Sequence, residues 1–261
     1  MDGALITWSG SGRHARSRLT ASVIALALVA LCATAGGQAS AASGSTAATG
    51  GVERLDHPGR TSYWAFVDFA TTARTRPNRT ARRVARLGTK TEDRTDNLVL
   101  VLARTVRRGR TWLQVRLPIL PNNSVGWVPA TDLSSLHAVH TWLKVDRAHE
   151  KLTLIRRGRT VFTARVGVGT PSAPTPPGNF YVRDELTGFP PGTIYGALAF
   201  GTSAKSAVLT DWPRGGVIGI HGTNQPELIP GHVSHGCVRM RNPDIKRLAR
   251  MLPIGTPLTI R

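Results

Sequence analysis

Between Thr61 and Leu133 apolar residues come in short bursts: YWAFVDFA, NLVLVLA, TWLQVRL and VGWVP. Arg108-Gly109 and Pro121-Asn122-Asn123 separate them as turn signals. In TWLQVRL, Trp112, Gln114 and Arg116 alternate with Leu113, Val115 and Leu117, the period of two that marks a half-buried strand. The pattern predicts a small all-β barrel over residues 61–135. A second β-rich unit is expected over residues 140–261. There TWLKVD and KLTLIRR flank a turn at Arg147 to Glu150, and Arg157-Gly158 leads into TVFTARVGVG, which together read as a meander. Pro171, Pro174, Pro176 and Pro177 make the following stretch an extended loop up to a strand-like NFYV, and LTGFPPGTIYGALAFGTS reads as a further loop. Val217 to Ile220 is a short apolar run that ends at His221. Asn242-Pro243-Asp244 predicts a helix start, with Asn242 as the capping side chain. Ile245, Leu248, Ala249 and Leu252 form its apolar face, Pro253 stops it, and PLTIR closes the chain as a strand. The expected class is mostly β with a short C-terminal helix.

The first part of the chain has a different texture. Arg13, Arg16 and Arg18 precede an uncharged run from Leu19 to Ala33 that ends beside small residues. This order predicts a secretory signal over residues 1–41, with an uncleaved anchor as the alternative, although the run falls short of the roughly 20 residues of a spanning helix. GGQASAASGSTAATGG has nothing to bury, so residues 42–60 read as a flexible linker. The predicted location is therefore secreted, at the cell envelope. The net charge of +19 falls to +17 once three arginines and one aspartate leave with the leader. Such a cation would meet anionic cell-wall polymers. Export and the lack of any helix-turn-helix, zinc-finger or RNA-binding signature argue against nucleic acid.

Cysteine usage narrows the chemistry. Removing the leader takes Cys32 with it and leaves Cys237 alone. A single cysteine in an exported chain is an intermolecular bridge, an inert buried thiol or a reactive one. Here it lies in VIGIHGTNQPELIPGHVSHGCVRMRN, with His221, His232 and His235. A thiol needs a base close by to react as thiolate, and Gly236 lets the backbone turn sharply while its neighbours' N–H groups point at a developing oxyanion. The arrangement suits acyl transfer through a thioester. Four zinc ligands from the same residues are the rival reading, but the thiol is single and the paired spacings of zinc sites are missing, so no metal is expected.

His221, a spacer, then Ser234-His235-Gly236-Cys237-Val238-Arg239, together with IGIHGT and the upstream VGVGTPSAPTPPGNFYV, resemble the YkuD-type L,D-transpeptidases that remodel peptidoglycan. The resemblance spans residues 140–261, and the preceding stretch is similar to a bacterial SH3-like domain through TWLQVRLP and GWVPATDL. It implies Cys237 as nucleophile and His221 as the proton acceptor and donor, with the Gly222 carbonyl orienting the imidazole. It further implies that His235, Gly236 and Cys237 line the oxyanion site, that Ser234 shapes the turn, and that Arg239 meets a substrate carboxylate. The implied reaction needs no cofactor. It cleaves the L,D bond of a tetrapeptide stem with loss of D-alanine and forms a 3-3 cross-link; with water as acceptor it becomes an L,D-carboxypeptidase. Carbapenem-type inhibitors are expected to acylate the same thiol. A non-catalytic cell-wall-binding protein is the alternative from another class.

Overall fold

The computed structural model describes residues 51–209 and 216–261, so the predicted leader and residues 42–50 of the predicted linker lie outside the described residues. The rest of that linker is not free: Glu53 and Arg54 pair with Arg104 and Ala103, and Leu55 is buried in a core, because its apolar side chain finds a place against the neighbouring strands. Mostly β structure is what these residues adopt, in two sheets that belong to one compact unit. The first sheet contains β1 (Glu53–Arg54), β2 (Ser62–Phe66), β3 (Thr71–Arg74), β4 (Arg83–Leu87), β5 (Leu98–Arg107), β6 (Arg110–Arg116), β7 (Val125–Pro129) and β8 (His137–Val139). Its order is β4-β3-β7-β6-β5-β2-β8, with β1 added beside β5. All its pairings are antiparallel. The β5–β6 hairpin turns at Arg108 and Gly109, both with positive φ (50° and 71°), the combination that matches the twist of a tight two-residue connection. Leu113, Val115 and Leu117 face the core with Val99, Val101 and Val128. On the other face Trp112 is also buried, against Ala103 and Trp127, so the alternation predicted for β6 hides one large aromatic on its polar side.

The second sheet holds β9 (Thr141–Asp146), β10 (Lys151–Arg156), β11 (Arg159–Arg165), β12 (Gly167–Gly169), β13 (Gly178–Leu186), β14 (Ala199–Lys205), β15 (Val217–His221), β16 (Gly231–Ser234), β17 (Val238–Arg239) and β18 (Pro257–Ile260). The order is β11-β10-β9-β18-β13-β14-β15-β17-β12-β16. The predicted meander is present as β9-β10-β11, and PLTIR closes the chain as β18, parallel to β9. The loop expected around Ala199 is instead β14, buried at every position. Its glycine and small polar residues read as loop, but their polar groups find tertiary partners: Thr202 Oγ1 donates to the Ile218 carbonyl at 2.6 Å and Ser203 Oγ accepts from Tyr181 N–H at 3.1 Å.

One α-helix, α1 (Asn242–Ala249), occurs among the described residues. Ile245, Leu248 and Leu252 seal it against the second core, about 1.5–3 kcal/mol for each such side chain. Asn242 does not cap it. Arg241 occupies the capping position and no side chain closes the first turn. The Asn242 amide is engaged elsewhere.

Polar contacts stitch the two sheets together. Glu92, in the β4–β5 loop, pairs with Arg183 at 2.9 Å and Lys205 at 2.8 Å. Thr95 Oγ1 donates to Asp184 at 2.9 Å, and Asn122 bonds both backbone groups of Lys205. Beneath them Tyr181 packs with Trp64, Leu98, Leu100 and Val139, and its hydroxyl donates to the Leu98 carbonyl. All of this bears on β13 and β14, and β14 pairs with β15, which carries His221 at its end.

Candidate active site

The cysteine sits between β16 and β17, in a turn that its own neighbours close. Ser234 Oγ donates to the Cys237 carbonyl at 2.5 Å and accepts the Gly236 N–H at 3.1 Å. Gly236 has φ +113°, and a Cβ there would lie 2.8 Å from Ile218 Cδ1, so the sharp path of the chain needs glycine. Thr175, from the proline-rich loop, donates to the Gly236 carbonyl at 2.8 Å and accepts the Gly169 N–H at 2.8 Å. That loop therefore braces the turn from behind. Cys237 is half-buried and in no disulfide. Desolvation pushes its thiol up, against the opposing pull of the Gly219 N–H, which points at Sγ at 3.4 Å, and of Arg239. The resting sulfur is a thiol.

The histidine arrives from the neighbouring strand. β15 and β17 run parallel, with Ile220 opposite Val238 and His221 opposite Arg239, and this pairing brings together two motifs sixteen residues apart. His221 is 4% exposed, and its Nδ1 lies 2.6 Å from the Gly222 carbonyl. A carbonyl only accepts, so Nδ1 carries the proton and Nε2 is the basic nitrogen. Burial lowers the imidazole to about 4, assisted by Arg239 and opposed by the Gly222 and Ile194 carbonyls. At neutral pH the ring is uncharged. The Tyr195 ring meets it edge-on with centroids 5.3 Å apart. Cys237, His221, Ser234, His235 and Arg239 line a common cavity, closed on one side by Ile194 and Tyr195. An uncharged base and a protonated thiol facing one cavity can perform base-assisted nucleophilic attack.

The family model of the YkuD-type L,D-transpeptidase catalytic domain matches residues 140–260. The Bacillus subtilis protein YqjB, named as an L,D-transpeptidase, is 31% identical over 126 residues, which make up 44% of this chain and 68% of that protein. This chain belongs to the L,D-transpeptidase family. YkuD of the same organism, with the same family name, is 37% identical over 118 residues, 45% of this chain; the chain spans 64% of that relative's length. Among solved structures, the catalytic domain of an E. faecium L,D-transpeptidase aligns at 24% identity and a TM-score of 0.34, covering 46% of this chain and 96% of that one.

Within this L,D-transpeptidase domain the remaining predicted residues fall into place unequally. Arg239 meets Gln225 Oε1 at 3.3 Å, while its buried Nε has no partner among the described residues. His235 is exposed at the rim. His232 points away, with Nδ1 3.1 Å from the Gly169 carbonyl. Among the described residues no group of three or more His, Cys, Asp or Glu is arranged to hold a metal ion. Two residues escaped the sequence reading. Thr175 lay hidden in a loop where prolines were the visible signal. Asn242 looked like a helix cap, but its Oδ1 accepts the N–H of Ala197 at 3.0 Å and of Thr223 at 3.2 Å, and its Nδ2 donates to the Thr223 carbonyl at 2.9 Å.

Proposed function

We propose that this chain is a peptidoglycan L,D-transpeptidase that forms 3-3 cross-links. The observation that carries this reading is the pairing of β15 with β17, which sets a neutral, tautomer-fixed His221 and the Cys237 thiol on one cavity. In the first half-reaction Cys237 gives its proton to His221 Nε2 and its sulfur attacks the carbonyl of the L,D peptide bond. The oxyanion is met by backbone N–H groups of the turn at Cys237. Because the Gly236 N–H is already committed to Ser234 Oγ, the Cys237 N–H is the donor we favour. His221 then protonates the departing amine of D-alanine as the C–N bond breaks, leaving a thioester. In the second half-reaction an amine from a neighbouring stem gives its proton to His221 and attacks the thioester, and the thiolate leaves and is reprotonated. Water in the amine's place yields a tripeptide, the L,D-carboxypeptidase outcome.

Arg239 would hold a substrate carboxylate, since it lines the cavity shared with Cys237 and His221 and a guanidinium forms paired hydrogen bonds with a carboxylate. Carbapenem-type inhibitors would form an adduct on the same sulfur. The wider setting is proposed on the same footing. Residues 1–41 direct export, residues 61–135 form an SH3-like module, and a face rich in exposed arginines (Arg76, Arg79, Arg82, Arg83, Arg86) meets anionic wall polymer. The experiment is to incubate the protein, and its Cys237→Ala variant, with a disaccharide tetrapeptide and to follow protein and products by intact mass. A cysteine-dependent acyl adduct followed by cross-linked dimer supports transpeptidation, tripeptide without dimer points to the carboxypeptidase, and neither product leaves a wall-binding protein.

A further inference from the structure

Asn242 is the first residue of α1, yet its amide spans the site rather than the helix. Its Oδ1 accepts from Thr223 N–H, and that N–H belongs to the same peptide unit as the Gly222 carbonyl that holds His221 Nδ1. A peptide unit is planar, so fixing its N–H fixes the direction of its C=O. The Asn242 Nδ2 bond to the Thr223 carbonyl anchors the following unit, and the Gly222 N–H bond to the Leu198 carbonyl at 3.0 Å anchors the preceding one. The same Oδ1 accepts from Ala197 N–H, next to the segment whose Ile194 and Tyr195 wall the cavity. The amide fits because its two neighbours lack side chains: a Cβ on Gly196 or Gly222 would come within 2.2 Å of Oδ1. Three segments thus converge on one side chain: the end of the histidine strand, the cavity wall and the start of α1.

We propose that Asn242 is a positioning residue for His221. By holding the Gly222–Thr223 peptide plane, it keeps the Gly222 carbonyl aimed at Nδ1, the proton on Nδ1 and Nε2 free to serve as the base, and it ties the Tyr195 wall to the same anchor. It touches no reacting atom. The inference rests on the reading of His221 as the base, and it requires a test that does not depend on substrate turnover.

Full-length protein labelled with 15N at histidine reports the tautomer directly, because protonated and bare ring nitrogens have separate chemical shifts. In the unaltered protein at pH 7, Nδ1 of His221 is expected to be protonated and Nε2 bare. Asn242→Ala removes all three bonds, and the His221 ring is expected to populate both tautomers, with kcat on tetrapeptide stems falling roughly tenfold to a hundredfold and KM little changed. Asn242→Asp retains the acceptor for Thr223 and Ala197, so it is expected to preserve the Nδ1–H tautomer and recover most of the lost kcat. In a His221→Ala background Asn242→Ala should cost nothing further, since a residue that acts through another loses its effect with it. An Asn242→Ala protein with an unchanged His221 tautomer, or a purely additive double variant, overturns the inference. Should Asn242→Ala not fold, the comparison of Asn242→Asp with the unaltered protein stands in: loss of the Nδ1–H tautomer in the aspartate variant overturns the inference. If the unaltered protein turns over no stem peptide, the function proposed above fails, while the tautomer experiment still decides the role of Asn242.

Discussion

The two sheets are built on different principles. The first sheet is antiparallel throughout, it buries aliphatic side chains on one face and Trp112 and Trp127 on the other, and exposed arginines cluster in sequence around β4. The second mixes parallel and antiparallel pairs and buries Arg183, Asp184, Lys205 and His221. Buried polar groups are costly unless each finds its partner, and here Glu92 serves Arg183 and Lys205, Thr95 serves Asp184, and the Gly222 carbonyl serves His221. Cys237 and His221, the pair proposed to carry the chemistry, belong with the second sheet, as do Ser234, Thr175 and Asn242, which hold the turn and the loop around them. The first sheet reaches that machinery through the contacts of its loops with β13 and β14.

The sharpest way to break this division is at the thiol. Cys237→Ala is expected to lower acyl transfer about a thousandfold or more, with no cysteine-linked mass adduct left, while thermal unfolding stays nearly where it was. A large fall in melting temperature would mean that the site carries the fold as well as the chemistry. Glycine replacements separate a buried strand of the second sheet from an open loop of the first region next. Gly201→Ala in β14 would put a Cβ 2.1 Å from Asp184 Oδ1, the oxygen that accepts the Gly201 N–H at 3.0 Å, and is expected to cost about 3 kcal/mol in urea unfolding. Gly88→Ala in the first region meets only the Lys90 carbonyl, at 3.9 Å, and should change stability by no more than about 0.5 kcal/mol. Equal costs at the two positions would refute the contrast.

The same contrast explains what could be read from the sequence. Strands with a local apolar run or alternation, such as β5, β6, β9, β10 and β13, were legible because that signal is local. β14 was not, because Ala, Gly, Thr and Ser become a buried strand only when Asp184, Ile218 and Tyr181 complete their hydrogen bonds. β3 and β4 were obscured by the arginines around them. In the site, Cys237 and His221 stood out because thiol and imidazole are rare and their chemistry needs both. Asn242 was misread for a physical reason: the amide that caps a helix serves equally to clamp a loop, and only the fold decides which groups are in reach.

Desolvation sets the site in the second sheet apart, and it should be visible in rate. With His221 lowered to about 4, the base is already deprotonated at pH 5, so kcat/KM is expected to fall tenfold per pH unit only below about pH 4. The raised thiol keeps the thiolate from being the resting species, so iodoacetamide labelling of Cys237 at neutral pH should be slower than that of an exposed thiol. An acid limb near pH 6.5, the ordinary value for histidine, would show that the ring is solvated in the working enzyme.

The smallest expected effect tests the seam itself. Glu92 comes from the first region, and its two cations, Arg183 and Lys205, come from the second. Burial alone would raise the carboxyl, but Arg183 and Lys205 outweigh it and hold Glu92 at about 2, below its ordinary 4.5. A carboxyl depressed by folding stabilises the protein above pH 4.5, and that contribution fades as pH falls from 4.5 through 2. Its side chain is 37% exposed, so solvent screens the pair, and Glu92→Gln is expected to cost about 1 kcal/mol at pH 7. Urea midpoints of the two proteins should approach each other between pH 4.5 and pH 2. If the gap stays constant over that interval, the seam is held by shape and neutral hydrogen bonds, such as those of Asn122 and Thr95, rather than by charge. If it closes, Glu92 is an electrostatic tie from the first sheet to the strand beside His221, and loosening it should lower kcat on stem peptides by less than the loss of Asn242 does.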